Sequence, residues 1–190
     1  MQKSYKTAGA VFAVAAMISG NLQAADSAST DIKLKGHAKP GCLMPGPTVG
    51  SANNAAFANN TLTFENLLDE ASSTVKASSV ALTFPGVMCN YNATVSLSTT
   101  NGGMTSTSGT TDISGNFLQR VDYVVRASWG GLNLPELKTV SMSAGGHVSR
   151  EAGGANRADL VVNILTEDGT TPVIEGQFED TLVVKIGAAY

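Results

Sequence analysis

The chain has 190 residues, with 12 Lys and Arg against 15 Asp and Glu, a formal net charge of −3 and an aromatic content of 6%. Nucleic acid and anionic membrane surfaces both reward clustered Lys and Arg, so this balance argues against either as a partner. The length accommodates one ordinary domain with an extension.

Residues 1–24, MQKSYKTAGAVFAVAAMISGNLQA, have the layout of an export signal: Lys3 and Lys6, an apolar run of about eleven residues at 8–18, and small residues toward Ala24. A run that short cannot cross about 30 Å of hydrocarbon as a helix, so a cleaved leader is expected rather than an anchor. Removing 24 of 190 residues leaves 166. Losing two lysines leaves 10 cationic against 15 acidic side chains, a mature charge of about −5. No later stretch is apolar enough to span a membrane, so the exported product is expected to be soluble.

The next segment reads ADSASTDIKLKGHAKPGC. Ile32, Leu34, Gly36 and Ala38 fall on one face of an extended chain, and Asp31, Lys33, Lys35, His37 and Lys39 on the other. This is the alternation of a strand, lying before the first of two cysteines, Cys42 and Cys89. In an oxidising compartment such a pair reads first as a disulfide. Closing a loop of about 48 residues would contribute about 4 kcal/mol on the chain-entropy model. The competing readings are a catalytic thiol with a bystander, or two metal ligands. A thiol enzyme needs a nearby base and a metal site needs three or four ligands, while His37 and His147 sit in unrelated contexts.

Short alternating runs follow, separated by Ser, Thr, Asn and Gly clusters, as in a sandwich or barrel. Leu62 and Phe64 share a face, as do Val80, Leu82 and Phe84, then Ala93, Val95 and Leu97. Val121, Tyr123, Val125, Ala127 and Trp129 make another such set, and Leu160, Val162 and Ile164 a further one. Helical periodicity is confined to the leader and a turn near residues 65–70. Glycine pairs at 102, 130, 145 and 153 match no phosphate-binding pattern and read as hairpin connections.

Nothing in the sequence argues for an enzyme, a cofactor or a metal. Ser73 and Lys76 spell SxxK without its companion motifs, which is chance in a Ser-rich chain. The acidic pairs Asp69/Glu70, Glu167/Asp168 and Glu179/Asp180 point to opposite faces of an extended chain and read as solvated loop charges. Trp129 and Tyr123 share a strand face, which could form a carbohydrate platform but reads better as core.

The last segment, GQFEDTLVVKIGAAY, alternates again, with Phe178, Leu182, Val184, Ile186 and Tyr190 on one face. A strand this regular needs a neighbour, and the segment before Cys42 is a spare strand. Folding back would complete the chain's own sheet. Leaving would complete the next copy, head to tail, and a heterologous contact that does not close on itself builds a filament.

IKLKGHA shortly before Cys42, Cys89 ending an alternating strand, and the ending G-x-F-x-D-x-L-x-V-x-I with its terminal tyrosine together resemble fimbrial subunits of the chaperone–usher pathway. FPGVMCNYNATVSLSTTNGGM and GQFEDTLVV are also similar to the spore-coat-U-type pilins of its archaic branch. The resemblance implies an all-β, immunoglobulin-like sandwich that is incomplete, missing its seventh strand, and completed by donor-strand complementation. It implies a leader (1–24), a donor-strand extension (25–41) and a pilin domain (42–190). Ile32, Leu34, Gly36 and Ala38 would be donor positions, with Gly36 entering a shallow pocket. Phe178, Leu182, Val184, Ile186 and Tyr190 would line the acceptor groove and contact the chaperone. The implied partners are other copies of the chain or related subunits, a periplasmic chaperone, an outer-membrane usher and a host receptor, and the implied location is a surface fimbria serving adhesion or biofilm formation. The alternative is a secreted adhesin or carbohydrate-binding domain that completes its own sandwich.

Overall fold

The computed structural model describes residues 30–107 and 110–188. The leader and Tyr190 therefore lie outside the described residues. The chain divides into two units, Met1–His37 and Ala38–Tyr190.

In the first unit, residues 30–37 carry no strand, and Ile32 and Leu34 are 79% and 92% exposed. The alternation expected to make a strand there is not matched by a ladder in the single chain. An extended segment has no hydrogen bonds of its own and takes up strand geometry only beside a partner edge.

The second unit begins with β1 (Cys42–Leu43), β2 (Thr48–Asn53) and the hairpin β3 (Ala55–Ala58) and β4 (Thr61–Phe64). The long β5 (Ser78–Cys89) leads to β6 (Thr94–Thr99), β7 (Met104–Ser106), β8 (Arg120–Val121) and β9 (Val124–Trp129). Two short strands, β10 (Leu132–Asn133) and β11 (Leu137–Lys138), precede β12 (His147–Glu151) and β13 (Asn156–Thr166). The body ends with β14 (Phe178–Glu179) and β15 (Leu182–Gly187). Among the described residues there is no α-helix, only a 3-10 turn at Thr139–Ser141, and no helix long and apolar enough to cross a membrane.

The largest sheet runs β1-β5-β13-β9-β10, with β2 also on β5 and β11 on β9; a second runs β12-β6-β15 and a third β14-β7-β8. Every ladder between these strands is antiparallel, an all-β architecture consistent with a β-sandwich. The period-two faces bury as expected: Val80, Leu82 and Phe84 of β5, Leu160, Val162 and Ile164 of β13, and Val125, Ala127 and Trp129 of β9 join Val95 and Leu97 of β6 in one core. Trp129 is fully buried and donates its indole N–H to the carbonyls of Val87 and Ala158 at 3.2 and 3.1 Å. Tyr123 is 6% exposed, so this aromatic face belongs to the core.

Two local features depend on special backbone. The β3–β4 hairpin turns at Asn59 and Asn60, both left-handed at φ 51° and 59°, the geometry that suits two-residue hairpins and that Asn tolerates. In β5, Pro85 and Gly86 form a bulge opposite Asp159, whose Oδ1 accepts the Gly86 N–H at 2.7 Å. The extra residue switches the buried face from even to odd positions, so Val87 and Cys89 point inward beyond it.

Candidate functional site

The terminal strand β15 pairs with β6 along its whole length, from Leu182↔Thr99 to Gly187↔Thr94, and with no other strand among the described residues. Leu182, Val184 and Ile186 are half-buried, whereas Val183 on the opposite face is 45% exposed. Beside this edge lies a groove of about 610 Å³. Leu182 and Val184 form one wall; Leu82, Phe84, Val162 and Ile164 contribute from β5 and β13; residues 44–47 and the hairpin residues Phe57, Leu62 and Phe64 complete the lining. Apolar side chains dominate it, a lining suited to an apolar strand.

Of the terminal residues expected to line such a groove, Leu182 and Val184 do. Phe178 and Ile186 pack against the core as half-buried side chains without entering the lining. Leu62 and Phe64 of β4 line the remaining wall from the face their alternation assigns, whereas residues 44–47 and β3 carry weak, Ala- and Pro-rich patterns that give no such signal.

One end of the groove is polar and is organised by Asp180. Its Oδ2 accepts the Tyr123 phenol at 2.8 Å, the Gly103 N–H at 3.1 Å and the Thr99 hydroxyl; its Oδ1 accepts the N–H groups of Asn101 at 2.8 Å and Thr181 at 2.7 Å. Burial pushes this carboxyl up, but Thr99, Asn101, Tyr123 and Thr181 together hold it below its ordinary value. Burial first, then the neighbouring carboxylate, pushes the Tyr123 phenol well up. The reading of Asp180 as a solvated loop charge is therefore corrected: it ties the β6–β7 loop and Tyr123 to the start of β15. Asp168 and Asp69 likewise fasten turns, accepting the N–H groups of Ala77 and of Ala71 and Ser72. The three aspartates stand in loops where short carboxylates reach backbone donors; the sequence offers no signal beyond that.

Cys42 and Cys89 form a disulfide, and they are direct cross-strand partners of β1 and β5. Next to it, Asn90 accepts the Gly41 N–H on Oδ1 at 2.7 Å and donates its amide to the Lys39 carbonyl at 2.8 Å, while its backbone N–H donates to the Gly41 carbonyl at 3.1 Å. The chain entering the body at residues 39–41 is thus pinned immediately before the disulfide. Donor candidates Ile32, Leu34, Gly36 and Ala38 all lie exposed ahead of this point. Among the described residues no three His, Cys, Asp or Glu side chains group in a way that could hold a metal. No protein-family model matches the chain, and no curated protein matches it at a significant level.

Proposed function

We propose that this chain is a structural subunit of a surface fimbria of the chaperone–usher type, an incomplete immunoglobulin-like sandwich polymerised head to tail by donor-strand exchange. The observation that carries the reading is β15, which among the described residues pairs with β6 and no other strand and is bordered by an apolar groove. The exposed Ile32 and Leu34 on the segment ahead of Cys42 supply the matching feature. A strand entering the groove adds a hydrogen-bonded ladder along β15, and each large apolar side chain it buries contributes about 1.5–3 kcal/mol. An open edge of this kind invites aggregation, which is the physical reason for escort by a periplasmic chaperone until an outer-membrane usher exchanges it for the next subunit's arm. The role is mechanical rather than catalytic, and any contact with a host receptor is made by surface loops.

The test compares the mature chain with one lacking residues 25–38. The shortened chain should bind a peptide of residues 29–39 and form no rods. A shortened chain that unfolds, beside a mature chain that stays monomeric at high concentration, would favour a self-completed sandwich instead.

A further inference from the structure

Resting on the donor-strand reading above, we infer that each junction contains a second contact, in which the arm root of one copy packs against the Leu118 corner of the next. The root carries an exposed apolar pair: Leu43 and Met88 are cross-strand partners, 57% and 37% exposed. Lys39 precedes this pair in the pinned segment, and Arg157 is the β13 partner of Met88. The corner carries Phe117 and Leu118, 45% and 40% exposed, and Leu118 borders a hollow of about 490 Å³ together with Ile174. Its net charge is of opposite sign to that of the root: Asp112 accepts the Phe117 N–H at 2.8 Å and is held ionised by that bond, while Arg120 is neutralised by Asp122 at 3.0 Å.

Chain geometry brings root and corner together. A strand added to β15 in the antiparallel sense, which every ladder between this body's strands uses, places its carboxyl end at Leu182, where β15 begins. The polar end of the groove lies there, and it adjoins the hollow through β7: Met104 lines the groove, and Thr105 and Ser106 line the hollow. From Ala38 to Cys42 the chain spans at most about 14 Å, and Asn90 pins its last part. The donor's body must therefore sit over this end of its neighbour. Apolar side chains and opposite charges then meet across the junction, fixing its angle instead of leaving the bodies on a loose tether.

Charge exchange in the mature chain tests this contact. Leu43→Glu sets an acid against the acidic corner and Leu118→Lys a cation against the basic root, and each should slow rod growth about tenfold with an unchanged melting temperature. The double variant Leu43→Glu/Leu118→Lys pairs the new charges at every junction and should recover growth to within about twofold of the parent. Growth of all four chains should still be blocked by a peptide of residues 29–39. Single variants that grow like the parent, or a double variant no faster than the slower single one, would overturn the contact while leaving strand exchange standing. A peptide that fails to block the parent chain would overturn strand exchange, and this contact with it.

Discussion

Tyr123 donates its phenolic O–H to Asp180 at 2.8 Å, joining residues 57 positions apart in the chain. The carboxylate takes four further donors, and Tyr123 is almost fully buried. This contact secures the start of β15 at one end of the groove.

Asp180→Asn places an amide N–H₂ where donors converge. It should destabilise the body by about 2–4 kcal/mol, with Tyr123→Phe costing about 1–2 kcal/mol. The two effects should combine to less than their sum, because both act on one network. The buried Trp129, the only tryptophan, gives the fluorescence signal for the unfolding curves.

Acidification should expose the same contact. A carboxyl held below its ordinary value contributes stability that is present above the unfolded value of about 3.9 and is lost as pH falls through the lower folded value. Urea midpoints measured from pH 7 to pH 2 should fall through that acid range. The fall should be shallower in Asp180→Asn, which lacks the titrating group.

Reduction of Cys42–Cys89 should lower stability by up to about 4 kcal/mol, read as the difference between urea curves with and without reductant. Exchange of backbone hydrogens should rise first around β1, whose two residues pair with β5 beside the disulfide.

Asn90→Ala removes two side-chain hydrogen bonds to residues 39 and 41. Global stability should fall by about 1–2 kcal/mol, and hydrogen exchange at Gly41 should quicken well beyond the level explained by that loss.

Gly36→Arg should block rod formation while leaving chaperone capture intact, since under the proposed function the arm enters a neighbour's groove and the chaperone acts on the body. Electron microscopy of purified surface fibres, beside co-purification with the chaperone, reads both halves. Normal rods from this variant would move the donor register away from Gly36.

Much of the body could be read from alternation. Val80, Leu82 and Phe84, Leu160, Val162 and Ile164, and Val125, Ala127 and Trp129 are buried on the faces their spacing assigns. The reading stops at Pro85 and Gly86, because a bulge reverses the inward face and period two cannot pass through it. Half of the groove was invisible for a related reason. Met44, Pro47 and Phe57 line it from segments whose local pattern is weak, and they reach it only through β2 pairing with β5 and the turn at Asn59 and Asn60.

By itself the sequence determined the β-rich class, the inward residue sets and the pairing of the only two cysteines, since each follows from side-chain period or composition. Tertiary structure alone decided that β15 lies beside β6 and, among the described residues, beside no other strand, that Asp180 fastens its start, and that Asn90 pins residues 39–41. Those facts join residues tens of positions apart, and such contacts are set by how strands stack and pair, which no local pattern of side chains specifies.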